Sequence, residues 1–448
     1  MDDRNNHPAV EDPAASQLNA KNAVTKNTPL MSSFSPSKGP EQGPEPSDTS
    51  TMTFSQTSPD TGDRAFRSPT EYSRLDTGMD ISSREPSRER NSYDADVVLA
   101  YQQLPTALQE AEDADAAEQA STGAIIADDA SVTDAGYVSD AATTASTSIT
   151  SSIWNHSFEN GRRYHKFREG AYHFPNDDVE QEREDMKHSM VKMLCHHKLH
   201  FAPIGPNPQE ILDIGTGTGS WAIEIGETYP SASVLGIDLS PIQPDWVPPN
   251  VRFMVDDVES PWLHPPNHFD YIHSRHTVMA IKDWESLLRR CYEHTRPGGW
   301  IELQEIYHFP MSNNNHEMPR DHPVAQYWRH VDEGLKQLGV DFRFSSGGQI
   351  AELMRQRGFA GVAERVFHVP IGTWPQNKML KSVGVYWKTI LIDGLQAIAL
   401  RPLMRGLRWD RDQVETFLVS VRKAYHDNSC QMFMPLICVY GQKPLNTY

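Results

Sequence analysis

Residues 211–225 read ILDIGTGTGSWAIEI. Gly215, Gly217 and Gly219 alternate with Thr216 and Thr218 between an apolar run and a stretch of helical spacing. Such a segment turns a strand sharply into a helix. Glycine there permits positive φ and lets a ligand lie against the backbone. The helix start at Gly219–Ser220 offers free N–H groups, which in a dinucleotide site would meet a pyrophosphate. Asp213, however, stands two residues before the first glycine, at the strand end. A carboxylate there repels a pyrophosphate and suits an ammonium, such as the amino group of a methionine moiety. The sign of the charge favours S-adenosyl-L-methionine. Spacing alone leaves the choice open, because Gly217-Thr-Gly219-Ser-Trp-Ala222 also fits the G-x-G-x-x-A dinucleotide pattern, and a purely structural glycine turn has the same form.

Further acids follow in order. Asp238, with Leu239 after it, ends the next apolar run, LGIDL, twenty-five residues beyond Asp213. A carboxylate at that place can accept hydrogen bonds from both ribose hydroxyls. A third run leads into Asp256-Asp257-Val258. One of these acids can accept from an adenine amino group while the next backbone N–H donates to the ring. Strand spacing favours Asp257, with Val258 as the donor, over Asp256. A fourth run ends in His273-Ser274-Arg275-His276, which places Ser274 at the edge where ligands bind in such sheets. Three acids after three successive strands are a more specific pattern than any one of them.

No catalytic residue is named. Aligning an acceptor with an activated methyl donor supplies most of the rate, and the need for a base depends on the acceptor's pKa. His276, Glu305 and His308 are placed where a base could sit, or where a pocket-lining residue would. Tyr164 and Tyr172 precede the domain and either close over the cofactor or pack. Cys195-His196-His197-Lys198-Leu199-His200 is consecutive rather than spaced along a helical face, so no metal is expected. Trp374, Trp387 and Trp409 read as core packing, with an acceptor pocket as the alternative.

These residues need a frame. Strands are expected at 209–214, 233–238, 251–255, 269–273, 299–306, 363–370 and 433–440, with helices at 219–229 and 283–295. Arg296-Pro297-Gly298-Gly299 is a turn into the fifth strand. Strands alternating with helices imply an α/β fold, a doubly wound, mostly parallel seven-stranded sheet of Rossmann-like form. Residues 372–428 are too long for a connection and are expected to be a helical cap insertion. Before the sheet, 159–194 reads as an extended lead-in and then a helix, with Asn176 or Asp177 as its N-cap.

The chain has 448 residues, a net charge of −19 and four cysteines. Residues 1–150 are rich in Ser, Thr, Pro, Asp and Ala and are expected to be a disordered acidic tail. Residues 97–120 are read as a solvated acidic linker, with a transient helix that docks on a partner as the alternative. The domain is expected over 151–448. The charge argues against direct nucleic-acid binding and against an anionic membrane surface. No apolar run approaches the roughly 18 residues a bilayer requires, and the start of the chain does not read as a secretory leader. The expectation is an intracellular protein, in cytoplasm or nucleus, that acts on a small-molecule or protein methyl acceptor and can meet a regulatory protein partner through its tail. The alternative is a methyltransferase-like regulatory subunit whose cofactor site serves folding or assembly.

The segments GRRYHKFREGAYHFPNDDVEQERED, LDIGTGTGSWAIEIGETYP, GIDLSPIQPDWVPPN, FDYIHSR and RPGGWIELQEI resemble the fungal LaeA-like methyltransferases, regulators of secondary metabolism and their paralogues. The resemblance covers about residues 155–443. It implies a class I methyltransferase fold with S-adenosylmethionine at Asp213, Gly215, Gly217, Gly219, Asp238 and Asp257. The family's regulatory members are partners of velvet proteins. With DIGTGTG and YHFPND the sequence stands closer to the broader paralogue group, so that role is not carried over.

Overall fold

Glu210–Ile214 (β3) has the sequence EILDI, and Ile211, Leu212 and Ile214 are fully buried. An apolar strand covered on both faces is what a central parallel strand requires. In the computed structural model, which describes residues 92–104, 106–128 and 156–445, this strand lies at the middle of the main sheet. Parallel to it run Ser233–Asp238 (β4), Val251–Val255 (β5), Phe269–Arg275 (β6) and Thr295–Ile306 (β7). Met432–Gln442 (β10) pairs antiparallel with β7 and with Ala360–Pro370 (β9). The order is β5-β4-β3-β6-β7-β10, with β9 and the short Met311–Ser312 (β8) also pairing β10. The seven expected strands all form. The order reverses beside β3, and a crevice opens at such a switch point outside the carboxyl ends of the strands.

Ser220–Thr228 (α4) and Trp284–His294 (α5) are the expected crossover helices. Asp178–Leu194 (α3) starts at Asp177, whose side chain accepts from Glu180 N at 3.1 Å. Such a cap contributes about 1 kcal/mol. Ahead of α3 the structure corrects the expected extended lead-in. His156–Glu159 (β1) and Arg162–His165 (β2) form an antiparallel hairpin. Its turn is Asn160-Gly161, with φ of 54° and 79°, the two-residue turn that matches strand twist. The Asn-Gly pair was the available signal.

The cap lies between β9 and β10, where the insertion is expected. It comprises Lys378–Arg401 (α8), a π-helical turn at Pro402–Gly406 and Arg411–Tyr425 (α9). Pro323–Gln337 (α6) and Gln349–Gln356 (α7) lie between β7 and β9, and α6 packs against that turn. The two backbones come so close that a Cβ on Gly334 would fall 2.3 Å from Pro402 O, and one on Gly406 equally close to Gly334 O. Helix 378–406 is long and apolar enough to cross a membrane, contrary to the sequence expectation, and is mostly buried within the protein. Lys381, Lys388 and Asp393 interrupt its apolar run in the sequence and hide its length.

A second correction concerns the tail. Ser92–Gln102 (α1) and Thr106–Thr122 (α2) are helices that pack on α8, and α2 also reaches β9. Ala116 and Ala120 are fully buried and Ile125 is 3% exposed. Ala127 bridges Pro375, and Asn377 Nδ2 donates to Asp115 at 2.8 Å. Residues 106–128 therefore belong to the domain rather than to a linker. Alanines make the contact, and two small side chains leave almost no apolar pattern to read. The rest of the expected disorder lies outside the described residues.

Candidate cofactor site at the carboxyl edge of the sheet

The glycine turn runs from the end of β3 into α4, and Gly217 and Gly219 have φ of 57° and 85°. That is the left-handed region, which favours glycine. A Cβ on Gly219 would fall 2.4 Å from the Phe253 ring, whereas one on Gly217 would meet nothing within 4 Å. The open space over Gly217 is where a ligand can rest on the backbone. Asp213 lies beneath it and is 3% exposed. Its Oδ2 accepts from the Thr216 hydroxyl at 2.6 Å, and its Oδ1 from His273 Nδ1 at 2.8 Å. The carboxylate is held from two sides, so its position is set before any ligand arrives.

At the end of β4, Asp238 accepts the Gly217 N–H and the Ser240 N–H, each at 2.9 Å. Burial pushes its carboxyl up to about 6, against the pull of those two N–H groups. The loop is fastened further. Gln243 Nε2 donates to Gly217 O at 2.7 Å, and Asn176 Nδ2 to Ser240 Oγ at 3.2 Å. Leu239 is half-buried beside it. Beyond β5, Asp256 accepts the Asp257 N–H at 2.7 Å. Asp257 accepts from Glu259 N at 2.9 Å and Ser260 Oγ at 3.2 Å. Val258 packs against the main core and accepts from Trp262 Nε1 at 2.9 Å.

A pocket at this edge is lined by Asp213, Gly215, Thr216 and Gly217, together with His273, Arg275 and His276 from the end of β6. Ser274 is the exception among the expected residues there. It is fully buried, and its hydroxyl pairs with Thr277 Oγ1 at 2.7 Å. Alternation along a strand points neighbours to opposite faces, so His273 and Arg275 face the pocket and the Ser274 hydroxyl does not.

A methyltransferase-domain family model matches residues 186–364. The methyltransferase pytC of Aspergillus terreus is 36% identical over 301 residues, covering 66% of this chain and 91% of that protein. The chain belongs to the LaeA-like class I methyltransferases. The secondary metabolism regulator LAE1 of Cochliobolus heterostrophus is 36% identical over 56% of this chain and 83% of its own. The protein-methionine methyltransferase laeA of Emericella nidulans is 31% identical over 64% and 76%. Among solved structures, Haemonchus contortus phosphoethanolamine N-methyltransferase 2 is 18% identical over 57% of this chain and 52% of its own, with a TM-score of 0.34. The methyl donor of the family is S-adenosyl-L-methionine.

The methyltransferase brings one element to this site that the sequence reading treated as a lead-in. Helix α3 turns Glu180, Arg183, Glu184, Lys187 and His188 toward the sheet edge, a stripe at helical spacing. Lys187 Nζ lies 2.7 Å from Glu184, and Arg183 pairs with both Glu180 and Glu184. Glu184 and His188 line the pocket. Asp185 accepts from Thr218 Oγ1 at 2.6 Å and Ser220 Oγ at 2.9 Å, tying α3 to the glycine turn. The charged i, i+3, i+4 pattern in DVEQEREDMKH was the signal for this face.

The residues considered as bases take distinct places in the methyltransferase. Glu305 is fully buried and accepts from Thr277 N, Thr277 Oγ1 and Val278 N at 2.9–3.0 Å, a turn-holding arrangement. Burial pushes it up to about 7. His276 has φ of 59°, and burial with the nearby Lys187 and Arg275 cations holds its imidazole well below the usual range. His308 is pushed down to about 3 for the same reason, by burial and by Lys187 and Arg183. Tyr164 lies under the Arg401 guanidinium, 3.4 Å from its ring centre. Tyr172 is the half-buried tyrosine of the pair, stacked edge-on against Phe174. Its hydroxyl is pushed far up by burial and by the Glu184, Glu180 and Asp238 charges. Cys195 is in the core, and His200 Nε2 pairs with the Tyr229 hydroxyl at 2.9 Å. Trp374 and Trp387 are core residues, and Trp409 packs on His330 and Phe417.

Proposed function

We propose that the chain transfers the methyl group of S-adenosylmethionine to a small-molecule or protein acceptor within fungal secondary metabolism or its regulation. One observation carries this reading. Asp213, Asp238 and Asp257 stand at the ends of three adjacent parallel strands, around a glycine turn whose Gly217 faces open space. Asp213 suits the ammonium of the methionine moiety, and Asp238 the two ribose hydroxyls. Asp257 and the Val258 N–H suit the adenine edge. The residues fit a cation-bearing nucleoside and not a pyrophosphate, which three carboxylates would repel. When bound, the group supplies a sulfonium-activated methyl. The chain's own part is to hold the donor, exclude water and align the acceptor. The His276 imidazole at the pocket wall is neutral and can accept a hydrogen bond from an acceptor hydroxyl or amine, while the burial and the Lys187 and Arg275 cations that keep it neutral also make it a weak base.

A second reading is a regulatory subunit that binds the cofactor and acts through partners. The relatives known as secondary metabolism regulators favour it, as does helix α2, which carries Glu110, Glu112, Asp113, Asp115 and Glu118 and no Lys or Arg. Incubation with methyl-labelled S-adenosylmethionine and fractionated fungal extract tests the two. Label entering a small-molecule or protein fraction supports transfer. Calorimetric binding without label in any fraction supports the second reading, and no binding overturns both.

A further inference from the structure

Among the described residues, the Arg275 guanidinium at the pocket wall has no ion pair. Its side-chain hydrogen-bond partner is His188, Nη2 to Nδ1 at 2.6 Å. A guanidinium only donates. His188 Nδ1 must therefore accept, which leaves the ring proton on Nε2, 3.2 Å from Glu224 Oε1. The same Glu224 oxygen lies 2.8 Å from Lys192 Nζ. His188 thus positions Arg275 without neutralising it, and the one carboxylate behind it is already shared with a lysine. Burial disfavours the charged form of Arg275, against the pull of the Asp213 and Glu184 carboxylates across the pocket, neither of which forms an ion pair with it. A partly buried guanidinium with no direct ion pair is better satisfied when a ligand brings an anion to it. Arg275 and His188 line the same pocket as Asp213 and Glu184. The pocket thus presents the Asp213 carboxylate, held by the Thr216 hydroxyl and the His273 imidazole, and the Arg275 guanidinium, which has no ion pair, the complement of an α-amino acid zwitterion; Glu184 on the same wall is already paired with Arg183 and Lys187.

We infer that Arg275, oriented by His188, anchors the carboxylate of the methionine moiety of S-adenosylmethionine, opposite Asp213, which takes its ammonium. The inference rests on the cofactor reading above. A planar guanidinium can meet a carboxylate with two parallel hydrogen bonds, which an ammonium or amide cannot reproduce. Arg275 is a binding residue in this scheme and His188 a positioning residue.

The test uses the full chain and two ligands that differ only in that carboxylate, S-adenosylmethionine and decarboxylated S-adenosylmethionine, titrated calorimetrically. The wild type is expected to prefer the carboxylated ligand by about tenfold or more, the scale of charged hydrogen bonds. Arg275→Gln should abolish that preference, losing affinity for S-adenosylmethionine while holding the decarboxylated ligand within about twofold. Arg275→Lys keeps the charge and should fall between, which maintains the test if the glutamine variant fails to fold. His188→Ala should reduce the preference in part. Equal losses for both ligands, or an unchanged preference, overturn the assignment and leave the cofactor reading standing. The latter result would also direct Arg275 to an acceptor's anionic group. A wild type that binds neither ligand overturns the cofactor reading and this inference together.

Discussion

His273 stands face to face with Trp221, ring centroids 3.6 Å apart and planes 7° from parallel, while its Nδ1 lies 2.8 Å from Asp213 Oδ1. The indole from α4 thus clamps the imidazole that holds the first acid of the site. The Trp221 Nε1–H is itself fixed on Leu199 O at 2.9 Å. Asp213→Asn preserves shape and removes the charge. It should weaken S-adenosylmethionine binding about tenfold or more and leave binding of 5′-methylthioadenosine, which lacks the amino acid, nearly unchanged. Parallel titrations of the two ligands check this, and equal losses would count against an ammonium at Asp213.

Asp238 should behave differently, because it serves the nucleoside. Asp238→Ala is expected to weaken both ligands by about tenfold or more. It should also govern a pH dependence. Its carboxyl is raised from 3.8 to about 6 in the folded protein. This group's share of stability is therefore full below about 3.8 and is lost as pH rises through about 6. Ribose hydroxyls donate to the ionised form, so cofactor affinity should climb through the same range and binding near pH 6 should release protons. Titrations in buffers of different ionisation enthalpy measure that release. Affinity unchanged between about pH 5 and pH 7.5 would be the contrary result.

Glu305 closes the turn after β6 rather than acting on a ligand. Glu305→Ala leaves the buried N–H groups of Thr277 and Val278 without their acceptor. A buried unsatisfied group costs about 1–3 kcal/mol, so the denaturation midpoint should fall accordingly. A midpoint equal to the wild type's would show that the turn is held by other means.

The contact of α2 with the domain can be probed at Ala120, which is fully buried, and whose carbonyl lies 2.6 Å from His368 Nδ1. Ala120→Glu forces an acid into that contact and should cost about 2–3 kcal/mol. Glu118→Ala, on an exposed position of the same helix, should stay within about 0.5 kcal/mol. Thermal melts of the pair decide the matter. Equal melting temperatures would mean that α2 adds nothing to the stability of the domain.

The order of strands and helices, the glycine turn and the three acids were legible because each rests on short-range rules. Strands buried on both faces are apolar, a sharp strand-to-helix turn needs glycine, and acids at strand ends fall at regular intervals along the chain. The Asn160-Gly161 pair is a short-range signal of the same kind, but the reading of 159–194 as an extended lead-in did not use it. Other features depend on which surfaces meet. His188 and Arg275 are 87 residues apart, and neither residue type alone announces the other. Ser274 lost its expected place because strand register, not proximity in sequence, decides which face a hydroxyl takes. Helix α2 joined the domain through small side chains whose fit exists only against α8 and β9. The sequence by itself thus determined the fold class and the methyl-donor chemistry. Only the tertiary structure decided which charges stand paired at the site and which do not, because pairing depends on the closed arrangement of α3 over the sheet edge.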